Sequence, residues 1–107
     1  MMLRYHHLGL PTDEKKDGMR RLDDLKMWVC GYEESEYKIE WMYFEEECEL
    51  PELVKSVPHV AFEVESVAEA IQGKHVIIEP TSPSDGLIVA FIEENGAPIE
   101  FIETRSY

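Results

Sequence analysis

Apolar positions in the second half of the chain come in short runs separated by turn residues. Val57-Pro58-His59-Val60-Ala61-Phe62-Glu63-Val64 is rich in β-formers and entered through a proline, which predicts a strand. Ser66-Val67-Ala68-Glu69 has the spacing of a capping box, in which the Ser hydroxyl and the Glu carboxylate satisfy the first amides of a helix. Val67, Ala70 and Ile71 give that helix a short apolar stripe, and Gly73 ends it. A strand follows over His75 to Glu79, then a loop over Pro80 to Gly86. Leu87 to Glu94 and Ala97 to Thr104 are strands joined by Asn95-Gly96, the strongest short hairpin signal. The predicted order is β-α-β-β-β.

The first half reads as an eroded copy of this plan. Arg4 to Leu10 is a strand that stops at Pro11, Lys26 to Tyr32 is another, and Tyr37 to Glu45 a third. Thr12, Asp13 and Glu14 could open a helix, but Gly18 and the charge run from Asp13 to Asp24 work against it. A polar turn covers Glu33 to Glu36, and Glu45 to Glu52 is read as a solvated linker. Two submodules, 1–50 and 57–104, are therefore expected within one domain over 1–107.

Aligning the halves sharpens the chemistry. His7-Leu8-Gly9-Leu10 lines up with His59-Val60-Ala61-Phe62, and Ile39-Glu40-Trp41 with Ile99-Glu100-Phe101. Each half thus offers one histidine on its first strand and one glutamate on its last. Alternation puts Pro98, Glu100 and Ile102 on one face, and the two-residue turn sets Phe91 opposite Glu100 with Val89 beside it. A carboxylate in such an apolar strand is costly to bury unless a cation, a hydrogen-bond network or a wet cleft compensates it. Glu40, sharing a face with Met42 and Phe44, poses the same problem. Gly9 and Ala61 leave room beside His7 and His59. Two imidazoles and two carboxylates suit Ni, Co, Zn, Fe or Mn as divalent ions. Calcium would want more oxygens and structural zinc more thiolates.

Composition narrows the partners. Among 107 residues, 23 acids face 10 Lys plus Arg, giving a formal net charge of -13. The basic pairs Lys15-Lys16 and Arg20-Arg21 sit among acids, so nucleic acid is excluded as a partner and an anionic membrane is disfavoured. No apolar stretch approaches the roughly 20 residues of a spanning helix. Met1 to His7 is followed by Pro11-Thr12-Asp13 rather than an apolar signal core, and Cys30 and Cys48 read as reduced thiols, so a cytoplasmic location is expected. Neither cysteine has the surroundings of a nucleophile.

The chain resembles the glyoxalase, bleomycin-resistance and extradiol-dioxygenase superfamily, also called vicinal oxygen chelate proteins. Pro58 through Val64, the helix after it, and Gly86 through Glu103 with the Asn95-Gly96 turn carry the resemblance for the second module. His7-Leu8-Gly9-Leu10 and Ile39-Glu40-Trp41 carry it for the first. The fold implied is α+β, with paired βαβββ modules curled into a half-barrel around one cleft and the first module shortened. In the glyoxalase I branch the metal ligands are His, Glu, His and Glu, which map onto His7, Glu40, His59 and Glu100. The resemblance implies a metal-dependent lyase or isomerase acting on a small 2-oxo or 2-hydroxy carbonyl substrate by proton abstraction and enediolate stabilisation. Glu100 would shuttle the proton, with Glu40 the second candidate. Basic residues that glyoxalase I uses to hold glutathione have no counterpart here, and the negative charge disfavours that ligand.

The rival expectation is a non-catalytic small-molecule binder of bleomycin-resistance type, with a cleft for a cationic aromatic ligand. His6 is expected on the opposite face from His7, with Leu8 and Leu10, and His75 at the surface. Trp28, Trp41, Tyr37 and Tyr43 are expected in the core or cleft wall, with Met27 and Met42 as filler. A chain this small would gain core by pairing, so a homodimer is expected.

Overall fold

The computed structural model describes residues 2–105. Met1, Ser106 and Tyr107, the outermost positions of the expected 1–107 span, lie outside them. In chain order the elements are β1 (Arg4–Pro11), β2 (Arg20–Leu22), β3 (Met27–Cys30), β4 (Ile39–Phe44), α1 (Glu52–Ser56), β5 (His59–Glu63), α2 (Val67–Ala70), β6 (His75–Thr81), β7 (Leu87–Glu94) and β8 (Ala97–Thr104). The strands form one curled eight-stranded sheet in the order β2-β3-β4-β1-β5-β8-β7-β6. Each half contributes four consecutive positions. They join where β1 and β5, the first strand of each half, run antiparallel. Inside each half the first strand pairs in parallel with the last, β1 with β4 and β5 with β8. This is the expected α+β half-barrel.

The second half follows its sequence closely. Asn95 and Gly96 both take positive φ, 50° and 87°, which gives a two-residue turn the twist of its flanking strands. Phe91 then pairs with Glu100, as the turn requires. Ser66 caps α2, its Oγ accepting from the Glu69 amide at 3.2 Å. The first-turn amide of Val67 is satisfied by Glu103 of β8, at 2.9 Å, so the carboxylate of the cap comes from across the fold. Val67 and Ala70 pack with Val64, Ala90, Ile92 and Phe101 into a core on the sheet face opposite Glu100.

The first half departs from its sequence reading in three places. It has no helix, but it keeps four strands: Arg20–Leu22 pairs with β3 through a turn at Lys26, whose φ is 55°. Its two exposed arginines hid this edge strand inside a charge run. Residues 45–52 are not simply solvated. Cys48 is buried, and Glu45 accepts hydrogen bonds from Arg21 and Trp28. Tyr37, expected in the core or cleft wall, is 69% exposed.

Met27, Val29 and Met42 form the first half's core, on the face that carries Glu40. On the opposite face the loop after β1 lies over two tryptophans. Lys15 Nζ is 4.4 Å from the Trp28 ring centre, and Lys16 Nζ is 4.8 Å from that of Trp41. Cys30 and Cys48 are unpaired, and His75 is exposed beside Glu93, as expected. No helix of the described residues is long and apolar enough to cross a membrane.

Candidate metal centre

Strand register brings the four sequence-selected side chains together. Gly9 pairs with Glu40 on one side and His59 on the other. One step along, Ala61 pairs with His7 and with Glu100, and Glu100 pairs with Phe91. The result is two neighbouring rows across the sheet, Glu40–Gly9–His59 and His7–Ala61–Glu100. Exchanging the halves turns one row into the other. Each row has a small residue at its centre, and this decides whether the long side chains can converge. A Cβ placed on Gly9 would stand 2.2 Å from His59 Cε1 and 2.6 Å from its Nδ1. The His59 ring therefore occupies the space that the glycine leaves open.

The tips meet in a tight group. His7 Nε2 is 3.2 Å from His59 Nε2, His59 Nε2 is 3.1 Å from Glu100 Oε1, and His7 Nε2 is 3.4 Å from Glu100 Oε1. Glu40 Oε1 stands slightly apart, 3.8 Å from His7 Nε2. Both histidines are buried, His7 at 6% and His59 at 3% exposure, while the carboxylate side chains keep 13% (Glu100) and 23% (Glu40).

The donor set fits a divalent transition-metal ion. Bonds of roughly 2.0–2.2 Å to N and O donors require neighbouring donor atoms to lie about 3.0–3.4 Å apart. The three contacts among His7, His59 and Glu100 fall in that range, and these residues form a potential ion-holding group among the described residues. Glu40 is positioned beside that trio rather than within it.

The electrostatics separate the two carboxylates. Burial alone would push Glu100 up, but its contacts with the His59 and His7 imidazoles outweigh it and lower the group to about 2. Burial raises Glu40, and the nearby Glu100 adds to that rise, while His7 opposes it. The two carboxylates are thus shifted in opposite directions.

Two further side chains join the site. A β-bulge between Tyr5 and His7 sets two steps of β1 against one of β5, so simple alternation fails for His6. Rather than packing away with Leu8 and Leu10, half-buried His6 brings Nδ1 to 2.8 Å from His7 Nδ1. Its ring stacks on Tyr32, with centroids 5.1 Å apart, and its Nε2 is 3.4 Å from the Tyr32 hydroxyl. Burial lowers the His6 pKa and raises that of Tyr32. The His6-His7 doublet and a tyrosine directly after Gly31 were the available sequence signals. His59 is served differently: its Nδ1 is buried without a partner, and its ring meets the Phe91 ring edge-on at 5.0 Å. A surface depression of about 620 Å³ over Thr12 to Asp17 shares no residue with the quartet.

No family model matches the sequence, and no curated protein matches it. Solved structures do. A hypothetical protein from Bacillus halodurans C-125 is similar over 100% of this chain and 98% of its own, with a TM-score of 0.69 and 23% identity. Methylmalonyl-CoA epimerase from Mycobacterium tuberculosis is similar over 96% of this chain and 89% of its own, with a TM-score of 0.63 and 16% identity. The chain has the glyoxalase-like half-barrel fold that it shares with that epimerase.

Proposed function

We propose that this protein is a metal-dependent isomerase or lyase of the vicinal oxygen chelate type. Its ligand set is glyoxalase I-like, and it acts on a small 2-oxo or 2-hydroxy carbonyl compound. The observation that carries the reading is the meeting of His7 Nε2, His59 Nε2 and Glu100 Oε1 within 3.1–3.4 Å on one face of the sheet. The structural likeness to an epimerase supports proton transfer at carbon as the class of chemistry.

His7, His59 and Glu100 would hold the ion, with Glu40 available as a fourth donor. When bound, a divalent ion supplies Lewis-acid stabilisation to negative charge developing on the substrate's oxygens. The resemblance gave the proton to Glu100. We assign the base role to Glu40 instead, because it stands outside the trio and is the more exposed carboxylate. A compact substrate would approach on the sheet face shared by Glu40, Glu100 and Phe91. The excess of acids argues against a phosphate-rich one.

The rival binder loses a specific support. Of the aromatic strand residues compatible with it, Trp28 and Trp41 already face Lys15 and Lys16 of the same chain. A homodimer belongs to this proposal, supported by the exposed Met2, Leu3, Tyr5 and Tyr37. Two unpaired thiols suit a reducing, cytoplasmic setting.

Proton exchange tests the reading. Small 2-oxo and 2-hydroxy carbonyl compounds are incubated in D2O with the Co²⁺-loaded protein, and loss of the signal from the proton beside the carbonyl is followed by NMR. Exchange well above that with Co²⁺ alone, removed in Glu40→Gln, is expected. Exchange no faster than with free Co²⁺ across the series would reject it.

A further inference from the structure

We infer that His6 is a positioning residue for the metal centre: it accepts the Nδ1 proton of His7 and so fixes His7 Nε2 as the ligand atom. This deepens the metal-centre reading and rests on it. A neutral histidine that offers Nε2 to a metal must carry its proton on Nδ1, and that proton needs an acceptor when the ring is buried. His7 is buried, and the His6 Nδ1 atom lies 2.8 Å from its Nδ1. The tautomers then follow outward without conflict. Once His6 accepts on Nδ1, its own proton sits on Nε2, which faces the Tyr32 hydroxyl oxygen at 3.4 Å. Stacking on Tyr32 at an interplanar angle of 11° seats the His6 ring beside it.

The β-bulge makes the contact possible. The inserted residue of β1 is His6, and without the extra step alternation would send it to the other face. The other half supplies the contrast. Pro58 precedes His59, where it offers no side-chain nitrogen, and His59 Nδ1 is buried without a partner. One ligand is oriented from outside the site and the other is not.

The test is Co²⁺ affinity of the full chain, read by its absorption spectrum and by competition with a chelator. His6→Phe keeps a ring against Tyr32 but removes the acceptor, and binding is expected to weaken between about tenfold and a hundredfold. His6→Asn restores an oxygen near the Nδ1 position and should return the affinity to within about threefold of wild type. Tyr32→Phe should cost less, about threefold. Thermal melts of the metal-free proteins separate this from misfolding. If His6→Phe does not fold, His6→Gln, whose oxygen lies beyond the Nδ1 position, takes its place and should weaken binding at least tenfold. Equal Co²⁺ affinity in His6→Phe and wild type, or a loss that His6→Asn shares, overturns the inference and leaves the metal centre standing. Failure of the wild-type protein to take up Co²⁺ overturns both.

Discussion

The two halves of the molecule build the same four-stranded unit and cover it in different ways. In the second half α2 lies on the sheet face away from the site, and Val67, at 1% exposure, anchors it over Ala90, Ile92 and Phe101. In the first half the helix is gone and a loop takes its place, with Lys15 and Lys16 over Trp28 and Trp41. Nearby, Arg21 grips Glu45 through two hydrogen bonds of 2.7 and 2.9 Å. The other face repeats its site residues between halves, with a histidine and a small residue on the first strand and a glutamate on the last. Strand pairing fixes the positions of the site residues, and what covers the back of the sheet can be exchanged.

The sharpest way to break this equivalence is to remove the two glutamates in turn. Glu100 belongs to the tight trio and Glu40 stands beside it. Glu100→Gln should weaken divalent-metal binding by on the order of a hundredfold or more, because a charged ligand is lost. Glu40→Gln should weaken it by less than about tenfold while abolishing proton exchange. Titration calorimetry on both variants decides. Equal losses would mean that the halves contribute alike.

The small residues come next. Gly9→Ala drives a methyl into the His59 ring, and the overpacking should cost about 1–3 kcal/mol in a denaturant melt. Ala61 already carries that methyl in the matching position, at 0% exposure. An Ala at position 9 as stable as wild type would show that the His59 ring is not seated over Gly9.

The two covers should differ in strength. Val67→Ala removes buried apolar volume under the helix and should cost about 1.5–3 kcal/mol. Replacing Lys15 or Lys16 by Ala should cost only about 0.5–1 kcal/mol, the range for exposed contacts of this kind. The same melts report both.

Acid gives the smallest effect. Hydrogen bonds from Arg21, and then from Trp28, hold Glu45 at about 2, below its ordinary 4.5. A carboxylate lowered on folding stabilises the protein fully above 4.5, and that contribution disappears as pH falls toward 2. Glu45→Gln should therefore flatten the acid limb of the stability curve between those values, measured by melts from pH 5 to about 2.

How much of this was legible in the sequence follows the same division. The second half was readable because its signals are local. Asn95-Gly96 fixes the register that sets Phe91 against Glu100, and Ser66 caps α2 as its spacing implies. The quartet was legible because a duplicated pattern survives where the chemistry of both halves coincides. The edge strand Arg20–Leu22 was hidden, since pairing with β3, and not apolar alternation, makes it a strand. The buried Cys48 was hidden within a run of acids. His6 was misjudged because a bulge breaks the period-two rule, and one extra residue in a strand leaves no mark in composition.

The most direct measurement is anomalous diffraction from crystals soaked in Co²⁺. The account predicts one ion on the concave face, with His7 Nε2, His59 Nε2 and Glu100 Oε1 each about 2.0–2.2 Å from it. An ion bound elsewhere, or none at full soak, would contradict it.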